Sequence, residues 1–299
     1  MVGSRGHYEN FPVGSIVLPR RMRRHVAALY AFARTADDFA DEGVLAADER
    51  LRLLGGWQKR LWQAAGSVRP ADPPATGEPA DTVDIFLALG ASIRECALPV
   101  SLFEDLLGAF RQDVTVTRYA TWTDVFDYCR RSANPVGRLV LRIAGHDDPR
   151  LDEWSDHICT ALQLANFWQD LKVDFDRGRI YLPSEEQRTH GAREEDLRSG
   201  QVPLAWQQAL SAAAARTRTF FDAGRPLCDA VRGRLRYELR ATWLGGVRIL
   251  DCLEAEHFDV VHYRPTLGPR DALWFAWHLI AWHGKRRPVA GGLQASGPS

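Results

Sequence analysis

The chain has 299 residues, is 45% hydrophobic and 25% charged, and balances 38 basic against 38 acidic residues for a formal net charge of zero. That is the composition of a globular protein, long enough to bury about three quarters of its unfolded surface. Zero net charge excludes a general nucleic-acid binder, which shows a strong basic excess, and five scattered cysteines with no C-x-x-C pair exclude a disulfide frame and suit a reducing cytosol.

Residues 1–10 lack the apolar core of a signal peptide, so a cytoplasmic location is expected. Residues 11–19 form an apolar entry broken by Pro12 and Pro19. Arg20, Arg21, Arg23 and Arg24 then open the first long helix, against its macrodipole. They are either a solvated basic face or an anion site, since guanidinium forks readily onto phosphate. Val26, Ala27, Leu29, Tyr30 and Ala33 carry the helical period onward. It reaches Arg34, Asp37, Asp38 and Asp41, where Asp37 and Asp41 lie four apart and Arg34 shares their face. Residues 48–65 read as a helix with Leu51, Leu54, Trp57, Leu61 and Trp62 on its stripe, and residues 66–81 as a loop rich in proline. Helices follow at 82–96 and 100–115, separated at Leu98-Pro99, the second ending in Phe110, Arg111, Gln112 and Asp113.

The stretch 122–143 is helical but contains Pro135, which predicts a kink. The small residues Ser132, Ala133 and Gly137 beside it permit either a tight helix crossing or the approach of a ligand. A central helix is predicted over 152–174, with Asn166, Asp170 and Asp174 stacked at four-residue spacing on one face. Leu162, Ala165, Phe167, Trp168 and Leu171 cover most of its remaining circumference. Such a helix is buried, which aims the polar stripe into a cavity. Residues 177–183 end it, 185–201 read as charged and irregular, and helices are predicted at 203–222, 227–256 and 271–283. The tail 284–299 is expected to be disordered. Strand-like alternation and 20–50-residue repeats are missing from the pattern, so the fold class is all-α, in one domain over 1–283. The ten tryptophans are either packing mass or the lining of an aromatic pocket.

The sequence has no Gly-x-Gly-x-x-Gly, Walker A or His-Glu-x-x-His stretch. A single Glu-x-x-His at Glu254 and His257 falls short of the two that a di-iron bundle needs, and no histidine stands at zinc spacing with cysteine. The two aspartate sets remain. Carboxylates ~6 Å apart repel by about 3 kcal/mol at an effective dielectric near 20, so each pair calls for a cation. All-oxygen sites with arginines nearby suit Mg²⁺ shared with phosphate oxygens. Magnesium makes diphosphate a good leaving group, and aromatic faces steady the carbocation left behind.

At these residues the chain resembles the squalene/phytoene synthase family. The likeness runs over about residues 8–270, through 28–42 (ALYAFARTADDFADE), 128–137 (YCRRSANPVG), 163–174 (QLANFWQDLKVD) and 178–183 (GRIYLP). It implies the all-helical isoprenoid synthase fold with a central apolar cavity, Mg²⁺ dependence and a prenyl diphosphate substrate. By the same resemblance Asp37, Asp41, Asn166, Asp170 and Asp174 would hold the metal, and Tyr128 would face the reacting carbons. Tyr30, Arg34, Ala133, Gly137, Gln163, Asn166, Gln169 and Arg179 would meet the substrate. The opening 9–15 (ENFPVGS), together with 130–135 and 166–170, resembles the branch serving bacterial hopanoid synthesis. This branch implies conversion of presqualene diphosphate to hydroxysqualene by ionisation, rearrangement and water capture, with no NADPH.

Condensing members commonly carry serines near residues 8–12, an arginine where Gln169 stands, and more basic residues near the C-terminal helix, where Arg264 and Arg270 remain. Fewer cations suit one diphosphate rather than two. Head-to-head condensation of two farnesyl diphosphates is the alternative. A third reading is non-catalytic. Trp274, Trp277, Leu279, Ile280 and Trp282, followed by Lys285, Arg286 and Arg287, are either an ordinary packed helix or an interfacial one. The latter would give a peripheral membrane contact or a contact with other squalene-pathway enzymes. The apolar run 272–282 is too short to span a bilayer.

Overall fold

The computed structural model describes residues 18–41, 45–66, 72–268 and 271–282. The opening 9–15, the basic residues 285–287 and the tail 284–299 lie outside them, as does part of the 66–81 loop.

The N-terminal half is built from four amphipathic helices, α1 (Arg20–Asp41), α2 (Ala47–Gly66), α3 (Thr82–Cys96) and α4 (Val100–Thr115). Met22, Val26, Leu29, Phe32, Ala36 and Phe39 recur at helical spacing and form the buried face of α1. That face packs on α2, α3 and α4. Phe32 stands at its centre, edge-on to Phe103 with ring centroids 5.5 Å apart and stacked on Trp57 at 6.1 Å.

The chain then passes through α5 (Trp122–Ser132) and α6 (Asn134–Ile143) into α7 (Pro149–Gln169), α8 (Leu171–Asp176), α9 (Ser184–His190) and α10 (Glu194–Arg198). It closes with α11 (Leu204–Gly224), α12 (Leu227–Ala230), α13 (Arg234–Ala255) and α14 (Asp271–Ile280). In this half α7 is central, packed on α5, α6, α11 and α13. Two apolar clusters result, one spanning α1–α4 and α6 and reaching α12 and the first half of α13, the other around α5, α7, α11 and the end of α13. Among the described residues the one β-bridge pairs Arg118 with Ile180.

Trp57, Trp168 and Trp206 are fully buried, and each indole N–H donates to a partner, as buried tryptophan requires. The partners are the Phe32 carbonyl, Thr217 Oγ1 and the Arg193 carbonyl. For these three the packing reading holds. Of the arginines opening α1, Arg20, Arg21 and Arg24 are exposed. Arg24 pairs with Glu95, and Arg23 holds the Leu18 carbonyl at 3.0 Å, so a solvated face with local anchors is observed.

Four boundaries differ from the sequence reading. The 122–143 helix is two helices, because Pro135 has no N–H to donate and instead sits in the first turn of α6. The central helix is interrupted at Asp170, whose ψ of 10° departs from helical values, although Asp174 N–H still reaches the Asp170 carbonyl at 2.8 Å. Residues 185–201 contain the short helices α9 and α10, held by tertiary contacts that periodicity over so few residues cannot reveal. The 227–256 helix breaks between α12 and α13, where Gly233 takes φ 69°, a conformation that favours glycine.

Candidate active site

The acidic end of α1 is electrostatically unfavourable by itself. Asp37, Asp38 and Asp41 cluster at the helix C-terminus, the negative pole, and α1 has no basic residue in its last turn. Arg34 relieves Asp38 across one turn at 2.8 Å, and Asp37 is buried. Relief for Asp41 comes from far along the chain. Arg179 Nη2 stands 2.6 Å from its carboxylate and Arg177 Nη1 3.8 Å away.

Asp170 caps the C-terminus of α7, a second negative pole with no basic residue in its last turn. It is 3% exposed, and Asp174, one turn on, is 1% exposed. Asn166 Nδ2 donates to Asp170 at 2.9 Å. Arg264 forks onto the same carboxylate through Nε and Nη2, the latter at 3.2 Å.

Arg179 joins the two acidic segments. Its backbone N–H donates to the Asp174 carbonyl at 2.8 Å while its guanidinium reaches Asp41. The end of α1 and the α7–α8 junction therefore lie within one arginine side chain of each other. Burial opposes the charge on Arg179, and Tyr181, Asp41 and Asp113 more than offset this, so its pKa moves up and it stays cationic.

An aromatic cluster adjoins this group. Phe167 and Tyr181 stack with centroids 3.8 Å apart. Tyr128 lies 5.7 Å from both Tyr119 and Tyr181. The Tyr128 hydroxyl donates to Asp113 at 2.7 Å. Burial, then the Asp113 charge, pushes its pKa well above the usual tyrosine range, so it remains a neutral donor. Asp113, Tyr119 and Tyr181 were not singled out from the sequence. Asp113 follows Leu106 by seven and Phe110 by three on the buried face of α4, and a carboxylate on an apolar stripe was the available signal.

A cavity of ≈ 500 Å³ opens between α7, α13 and residues 264–267, within the ~300–1,000 Å³ typical of ligand sites. Its wall is mostly apolar, from Leu162 and Ala165 to Ile249 and Phe275, with Asn166, Gln169 and Arg264 at its polar end. Of the residues singled out from the sequence, Asn166 and Gln169 line it directly, and Asp170 adjoins it through Arg264. Tyr30 and Gln163 are half-buried on α1 and α7, outside its described lining. Ala133 caps α5. At Gly137 the tight-crossing alternative is observed, since an added Cβ would stand 2.3 Å from Ser155 Oγ and 2.5 Å from Cys159 Sγ on α7.

The donor set of the acidic group is entirely oxygen, which suits a hard divalent cation. Among the described residues no three His, Cys, Asp or Glu side chains form a ready-made metal cage. Magnesium does not need one, because it keeps waters and binds through one or two carboxylates plus substrate phosphate oxygens. The residues fit that ion when it is shared with a diphosphate.

Comparison with known proteins follows the same outline. The family model described as squalene/phytoene synthase matches residues 4–271. Hydroxysqualene synthase of Sinorhizobium fredii is 34% identical over 288 residues, covering 96% of this chain and 92% of that protein. Hydroxysqualene synthase of Zymomonas mobilis is also 34% identical, over 85% of this chain and 82% of its own. The crystal structure of the squalene synthase HpnC from Alicyclobacillus acidocaldarius superposes with a TM-score of 0.74 at 37% identity, covering 84% of this chain and 90% of that one. A dehydrosqualene synthase shares the fold, with a TM-score of 0.76 at 20% identity over 89% of each chain. With paired acidic helix ends, an adjoining cavity and a family match across most of its length, the chain belongs to the squalene/phytoene synthase family of enzymes.

Proposed function

We propose that this enzyme converts presqualene diphosphate and water to hydroxysqualene and diphosphate. The observation that carries the reading is the arginine-bridged meeting of two acidic helix ends beside an apolar cavity, in a chain 34% identical to hydroxysqualene synthases.

In this reading Asp37, Asp41, Asp170 and Asp174, with Asn166, would hold Mg²⁺, and the chemistry it would supply is positive charge that makes diphosphate a better leaving group. Arg34, Arg179 and Arg264 supply further positive charge to the diphosphate oxygens. The carbon–oxygen bond breaks and diphosphate leaves with the bonding pair. The cyclopropylcarbinyl cation rearranges beside the aromatic faces of Tyr128 and its neighbours. Water then adds to the cation and loses one proton. No electrons are gained or lost overall, so the reaction needs no NADPH.

A second reading is favoured by the 37% identity to a protein described as a squalene synthase. In it the enzyme condenses two farnesyl diphosphates head to head. Purified protein supplied with Mg²⁺ and each diphosphate separately distinguishes the two by mass spectrometry. Hydroxysqualene from presqualene diphosphate alone supports the first. Presqualene diphosphate from farnesyl diphosphate supports the second, as does squalene once a hydride donor such as NADPH is added to the same mixture.

No helix of the described residues is long and apolar enough to cross a membrane. A peripheral contact, with a bilayer or another squalene-pathway enzyme, belongs to the same proposal. It draws on Trp277, which is 67% exposed on α14, whereas Trp282 is buried and donates to Asp229. Vesicle sedimentation of Trp277→Ser against the parent tests the bilayer contact, and equal sedimentation removes it.

A further inference from the structure

Residues 263–268 run without regular structure along one wall of the cavity, contributing Arg264, Thr266 and Leu267. Such a segment gains little order from its own backbone, so its position depends on what grips it. Beyond it, Asp271 accepts from the Gly268 N–H at 2.9 Å and pairs with Arg248 at 2.9 Å. Near its start the grip comes from α7. Gln169 Nε2 donates to the Pro265 carbonyl at 2.6 Å, and the next residue, Asp170, takes the Arg264 fork. The last residue of α7 and its cap thus hold adjacent residues of the strap.

Sequence makes this contact stiff. Pro265 has a fixed φ and restricts Arg264 before it to extended backbone, leaving its carbonyl as the available backbone handle. Gln169 is 9% exposed, so its amide N–H would be costly to bury without a partner. Arg264 keeps 41% of its side chain exposed while paired with a carboxylate that is 4% exposed, and the same side chain lines the cavity wall.

We propose that Gln169 is a positioning residue: through the Pro265 carbonyl it sets the strap so that Arg264 stands at Asp170 and meets the substrate's diphosphate. This rests on the reading of the cavity as a prenyl diphosphate site, and it changes the role of Gln169 from substrate contact to support of Arg264.

The test is a double-mutant cycle of Gln169→Leu and Arg264→Ala. It is read by inhibition with inorganic diphosphate plus Mg²⁺, by KM and kcat, and by hydrogen exchange of the peptide covering 263–268 in the full chain. Gln169→Leu should weaken diphosphate inhibition and raise KM ~10-fold or more, since small misplacements of a binding group carry losses up to ~10². It should also speed exchange in the strap, with the melting temperature little changed. In the Arg264→Ala background the same substitution should add almost nothing to the loss of inhibition. Gln169→Asn, which keeps the donor, should fall between parent and Gln169→Leu. Additive losses, or unchanged strap exchange in Gln169→Leu, overturn the proposal. Failure of the parent to turn over any prenyl diphosphate, with the coupling intact, would instead count against the substrate reading.

Discussion

Asp170 carries the sharpest conflict at the residue scale. Its carboxylate is buried at the negative pole of α7 and is held there by Arg264 and Asn166. Asp170→Asn removes the charge and keeps the shape. If Asp170 holds magnesium, turnover should fall by ~10²-fold or more, because even indirect partners of metal ligands cost 10–100-fold when lost. Circular dichroism and melting should stay close to the parent. Activity retained in this variant would remove Asp170 from the catalytic set. Gly137 poses the opposite kind of test. A Cβ there meets Ser155 and Cys159 on the facing helix, so Gly137→Val should lower stability by about 1–3 kcal/mol through overpacking. Chemical denaturation measures it, and a neutral result would mean that the α6–α7 crossing can spread without cost.

Elements depend on clamps between chain-distant residues. Arg118 forks onto Glu194 at 2.7 and 2.8 Å and also donates to the Gly178 carbonyl at 2.6 Å. It thereby ties α10 to the turn that delivers Arg179 to Asp41. The Arg118 hydrogen bond outweighs burial, which pushes the other way, and holds the Glu194 carboxyl below the usual glutamate range. A carboxyl held low in the folded state stabilises it above the unfolded pKa of about 4.3, and the contribution fades as pH falls through the folded value. The stability gap between the parent and Glu194→Gln should be constant above about pH 5 and narrow toward pH 3. A gap independent of pH across that window would show that the pair contributes nothing through its charge. Both groups are about one-third exposed, so the gap should be small.

Ligand binding provides the test at the scale of the whole molecule. The acidic ends of α1 and α7 belong to different halves of the chain and are joined by Arg179. A divalent ion with inorganic diphosphate, which cannot react, would bind both halves in the folded state only. At one hundred times its dissociation constant such a ligand adds about 2.7 kcal/mol. The melting temperature should therefore rise by several degrees with both components present, and much less with either alone or in Asp170→Asn. An equal rise in that variant would locate the binding elsewhere.

Much of this molecule was legible in its linear order. The helical period of α1 and α4, the acidic spacing at 37–41 and 166–174, and the motif at 128–137 each lie within a short helical run of chain, where side-chain geometry follows largely from sequence separation. The squalene/phytoene synthase resemblance rested on those same local runs. Tertiary structure decided which groups neutralise which. Arg179 reaches back to Asp41, Arg264 folds onto Asp170, Tyr128 donates to Asp113, and Gln169 grips a strap ninety-six positions further on. None of these pairings has a periodic signature, because contacts between distant segments are fixed by helix packing and by the demand that buried charge be paired. The sequence by itself thus determined the fold class and the acidic chemistry of the site. Only the packed chain decided how those acids are held.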